Sequence, residues 1–61
     1  MNNETRRKYG INKMNEMMEE IDMIRNFYVG DKIFEDIRNE LVNIRAGLET
    51  IKIKLERLGE L

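Results

Sequence analysis

The sequence predicts an all-α fold: a helical hairpin (αα) that forms an antiparallel four-helix bundle by dimerisation. Three observations predict it. Apolar residues in the second half recur at alternating spacings of three and four. The first half repeats that rhythm less cleanly, and a Gly-Asp pair separates the halves in a chain with no proline. They describe a single domain over 1–61: a basic segment at 1–10, a first helix at 11–29, a turn at 30–31 and a second helix at 32–59.

Residues 1–10 are either a loose N-terminal arm or a frayed start of the first helix. Asn3 or Thr5 is the candidate N-cap of the longer version, because a short polar side chain there satisfies an early backbone N–H. That version carries Gly10 inside the helix at a cost of about 1 kcal/mol. From there the stripe Met14, Met17, Ile21, Ile24 and Tyr28 keeps the helical period, with Ile11 and Met18 on its flank. The face is wide and rich in pliable methionine.

Gly30 suits the left-handed position that ends a helix, and Asp31 suits the N-cap of the next. Glu35 and Asp36 then complement the positive end of the second helix dipole. The heptad phase also breaks here. Continuing the first stripe would put Asp31 and Glu35 in core positions, so a turn is predicted rather than one long bent helix.

The second helix shows the strongest pattern. Phe34, Ile37, Leu41, Ile44, Leu48, Ile51, Leu55 and Leu58 fill four consecutive heptads without a miss. With Phe34 at a, the a row is Phe-Leu-Leu-Leu and the d row Ile-Ile-Ile-Leu. No strand has this period. At 1.5 Å per residue the helix is roughly 40 Å long.

Self-pairing follows from size. Chains this short usually need a metal, a disulfide or a second subunit to hold a core. With no Cys and no His in 61 residues, the second subunit remains. A homodimer is expected, its core drawn from the thirteen stripe residues. Leu at a with Ile at d leans toward four strands. The e positions Arg38, Arg45 and Lys52 face an acidic first helix with Glu16, Glu19, Glu20 and Asp22, a pattern that selects partners more than it stabilises.

The missing residue types also bound function. Without His, Cys or Ser, the common metal-ligand sets and activated nucleophiles are absent. Thr5 and Thr50 are the only aliphatic hydroxyls. No enzyme, cofactor, metal or small-molecule substrate is expected. The longest uncharged run, Asn26 to Gly30, is far short of the roughly 20 residues of a membrane span. The N-terminus has charge but no apolar stretch behind it, so a soluble cytoplasmic protein is expected.

In length and in its mid-chain turn the chain resembles the ROP-type plasmid copy-number regulators, short helical hairpins that dimerise and bind RNA. The resemblance is one of layout, not of motif, and it implies an RNA-binding alternative. The acidic run from Glu16 to Asp22 departs from it, being a poor surface for phosphates. In this chain the candidate nucleic-acid contact is the cluster Arg6, Arg7, Lys8 and Tyr9, with the edge Arg38, Arg45 and Lys52 behind it. The competing reading of that cluster is a solvated terminus.

Apolar residues away from the stripes mark a second candidate surface. Met23 and Phe27 stand well off the first stripe, and Val42, Ala46 and Ile53 lie nearly opposite the second. A plain two-layer helix is polar there, so these five form the candidate partner surface; scattered surface hydrophobes are the competing reading. The expected function is that of a small regulatory or inhibitory protein acting by protein–protein binding. A nucleic-acid-binding regulator is the first alternative, and a purely structural coiled coil the second.

Overall fold

A computed structural model of the chain describes residues 2–60. Its regular structure is entirely helical: α1 is Asn3–Phe27 and α2 is Glu35–Leu58, the latter entered through a single 3₁₀ turn at Lys32–Phe34. Arg7 reaches Leu55 and Asp22 reaches Arg45, so the two helices run antiparallel as a hairpin.

The first helix starts at Asn3 rather than Ile11, and the basic segment forms its opening turns. Neither Asn3 nor Thr5 is the cap. Asn2 takes that place in an extended conformation, its Oδ1 accepting from the Thr5 N–H at 2.7 Å. One good cap and a long run of strong helix formers outweigh the cost of Gly10.

The connection is longer than the predicted 30–31. Helix α1 stops at Phe27 with Tyr28 as its C-cap, and Gly30 follows with φ at +86°. Asp31 caps as expected, accepting from the Ile33 N–H at 3.2 Å, but what it starts is the 3₁₀ turn; α2 begins at Glu35 instead of 32 and ends at Leu58 instead of 59. The Tyr28 and Phe34 rings meet across the turn with centroids 4.7 Å apart.

The core is small. Among the described residues, Met18, Ile21 and Leu48 are the buried apolar ones, at 6%, 9% and 9% exposure, with Met14 and Leu41 packed against them. On α1 the inward line is Ile11, Met14, Met18, Ile21, Arg25 and Tyr28. Met18, expected on the flank, is therefore central, and Met17 and Ile24 stand outside. On α2 the inward line combines the a row with the e positions Arg38, Arg45 and Lys52, while the whole d row is exposed.

A single layer of two helices encloses little. The radius of gyration is 14.4 Å, against about 10.5 Å for a compact chain of this length. The accessible surface is 5083 Å², roughly 900 Å² more than the ~4200 Å² of a compact monomer of the same mass.

Gly30 is the one residue of positive φ among the described residues. Its left-handed conformation costs an L-residue about 1–2 kcal/mol, so Gly30→Ala is expected to lower the melting temperature by several degrees. Gly30→Asn should lose less, because Asn tolerates that region. Thermal denaturation followed by circular dichroism checks both.

Candidate functional site

The helix contact divides the hairpin into two flanks of opposite chemistry. One is charged. Arg45 Nε donates to Asp22 Oδ1 at 2.9 Å across the helices, Arg45 Nη1 reaches Glu49 Oε2 at 3.4 Å, and Arg25 Nη1 reaches Asp22 Oδ1 at 3.5 Å. These groups line a shallow groove with Asn26, Val29, Arg38, Val42 and Ala46. Within it, the Arg25 Nε is buried without a hydrogen-bond partner among the described residues.

Two arginines clasp the hairpin at its ends. At the turn, Arg38 Nη1 of α2 donates to the carbonyls of Tyr28 and of Asp31, the latter at 2.7 Å. At the open end, Arg7 of α1 donates from Nη1 to the Leu55 carbonyl at 3.3 Å, and its guanidinium lies against Gly59, where a Cβ would come within 2.7 Å of Cζ. Each helix thus lends a cation to the carbonyl-rich C-terminal end of the other, where the dipole favours positive charge.

The other flank is apolar. Advancing 100° per residue puts Met17 and Ile24 of α1 on the same side as Ile37, Ile44, Ile51 and Leu58 of α2. Ile44 is 52% and Ile51 45% exposed. Gly47 lies between them on this side, and a Cβ placed there would meet nothing within 4 Å.

The predicted functional residues separate accordingly. Val42 and Ala46 come together in the charged groove, and Ile53 follows on the same side of α2. Met23 and Phe27 do not join them; they sit on the back of α1, Phe27 at 85% exposure. The tetrad Arg6, Arg7, Lys8 and Tyr9 is helical, so consecutive members point in different directions and form no patch. Arg7 is also held by Glu4, at 2.7 Å, and Lys13 sits 5.5 Å above the Tyr9 ring. Of the acidic residues on α1, Glu16 pairs with Lys13 and Asp22 with two arginines. Sequence reasoning missed the arginine clasps and Gly47. A glycine in the middle of a strong heptad stripe was the available signal for the second.

No family model, curated protein or solved structure matches this chain. Among the described residues, no helix is long and apolar enough to cross a membrane.

The open-end clasp is sensitive to acid. The hydrogen bond from Arg7 holds the Glu4 carboxyl below its ordinary value of 4.5. A depressed carboxyl pKa contributes stability that is complete above the unfolded value and is lost as pH falls through the folded one. The protection of amides in the first turns of α1, measured against the exchange of the unfolded chain at the same pH, is therefore expected to fall as pH drops through the carboxylate range. Glu4→Gln, which does not titrate, should remove that step; an unchanged profile would show that the pair does not hold the helix start.

Proposed function

We propose that the protein is a small non-enzymatic binding module of regulatory or inhibitory type. It self-associates through the isoleucine flank into a four-helix bundle and captures another protein along the charged groove. The observation that carries this reading is the d row of α2. Four heptads of Ile and Leu are kept in register along a face that the hairpin itself leaves half exposed. Exposed apolar patches of this extent mark interaction sites. The surplus surface of the single hairpin, roughly 900 Å², is close to the ~800 Å² that each partner contributes to a standard interface.

The same geometry favours protein over nucleic acid as the second partner. The arginines of the groove are committed to Asp22, Glu49 and the turn carbonyls. Val42 and Ala46 supply an apolar floor between those charges, the arrangement of an interface centre with a polar rim.

Two experiments test the two halves of this reading. Sedimentation should show a dimer at micromolar concentration, with a melting temperature that rises with concentration. Ile44→Lys should release a monomer, since it charges the middle of the exposed row. A wild-type monomer throughout that range would overturn the self-association. Val42→Lys combined with Ile53→Lys should leave the dimer within about 0.5 kcal/mol of wild type yet abolish capture of the host protein identified by pull-down with the unmodified chain, because central apolar anchors dominate interface energy. Undiminished capture would overturn the groove assignment.

A further inference from the structure

Gly47 has no task within the hairpin. It is a helix-interior glycine, costing about 1 kcal/mol relative to alanine, yet among the described residues nothing lies within 4 Å of the space where its Cβ would stand. It also lies at the midpoint of α2, with Ile44 and Ile51 on either side and Ile37 and Leu58 beyond them. A row balanced about a gap suits a twofold axis, since a twofold contact requires one surface to complement itself.

We propose that a second copy of the chain packs α2 against α2 in antiparallel fashion, with the twofold axis at Gly47. This rests on the self-association proposed above and specifies its geometry. The axis brings Ile44 within about one residue's rise of the partner's Ile51 and Ile37 within about one of the partner's Leu58, while the glycine lets the two backbones approach closely at the crossing. Charge agrees with this register. Glu40 and Lys54 flank the same face, make no ion pair among the described residues, and lie seven residues either side of Gly47. Antiparallel packing places each Glu40 beside the partner's Lys54. A parallel arrangement would set Glu40 beside Glu40 and lysine beside lysine. On α1, Met17 then lies near its own counterpart, where a flexible thioether adapts to the gap.

Cysteine cross-linking tests the register in the full chain, which has no cysteine of its own. The Ile37→Cys/Leu58→Cys double variant should form a covalent dimer under mild oxidation. Neither single variant should, because like positions at the row's ends would be roughly 30 Å apart at 1.5 Å per residue. Gly47→Leu should weaken dimerisation by at least about tenfold while the hairpin keeps its helix content, the added side chain having open space in the single chain. Glu40→Lys should also weaken the dimer, and Lys54→Glu added to it should restore it. Cross-linked single variants would overturn the antiparallel axis and leave the dimer standing. A sedimenting dimer that the double variant fails to cross-link would show that another face pairs. A wild-type monomer would remove the self-association itself, and this geometry with it.

Discussion

A helix with an apolar stripe two rows wide cannot cover that stripe against a single neighbour. This constraint governs the structure. In α2 the a row turns inward on α1, so the d row, offset by about 60° on the helix surface, faces outward on one flank. The same holds on α1, where Met18 and Ile21 are buried while Met17 and Ile24 stand outside. Three well-buried side chains among the described residues are a thin core for a chain of this length, since each ordered residue costs on the order of 1.5 kcal/mol. The hairpin alone therefore leaves one row uncovered, and that row is the one the proposed self-association uses.

Periodicity reveals the existence of a stripe and says nothing of which neighbour each row meets. For that reason the helical pattern of α2 was legible from Phe34 to Leu58, and so was the turn chemistry of Gly30 and Asp31, both local matters of backbone and spacing. The split of the stripe into an inward and an outward row was not legible. It depends on which side α1 approaches, and hence on contacts between distant residues. Met18 shows the consequence. By spacing it is a flank residue, yet α1 rolls by about half the width of its stripe and brings it to the centre, displacing Met17. The start of α1 was ambiguous for a different reason. Asn2, Asn3 and Thr5 are all competent caps within a few residues, and cap strength alone does not rank them.

Arginine explains the direction of the roll. Arg38 and Arg45 occupy e positions, where spacing alone suggests a solvated edge. Each instead reaches a fixed acceptor, Arg38 the carbonyls at the turn and Arg45 the Asp22 carboxylate. Such contacts on the surface are individually worth little, but they all lie on one side of the helix pair. Their long aliphatic stems also cover that side of the core. The side they occupy becomes the charged flank, and the apolar rows are left on the other.

That asymmetry bears on how many assemblies the hairpin can form. Two apolar flanks would allow hairpins to stack on both sides and grow without limit, as head-to-tail contacts do when no rotation closes them. Here a second layer against the charged flank would strip water from Asp22, Arg25, Arg45 and Glu49, and burying charges costs several kcal/mol each unless every partner is well placed. In the proposed assembly, growth is blocked on that side and favoured on the isoleucine side, so the proposed association closes at a pair. In the proposed pair the same charged flank, with Val42 and Ala46 between its ion pairs, stays accessible. A two-faced hairpin thus separates its two proposed contacts: an apolar face for its own copy, and a mixed face for a partner able to satisfy the charges it covers.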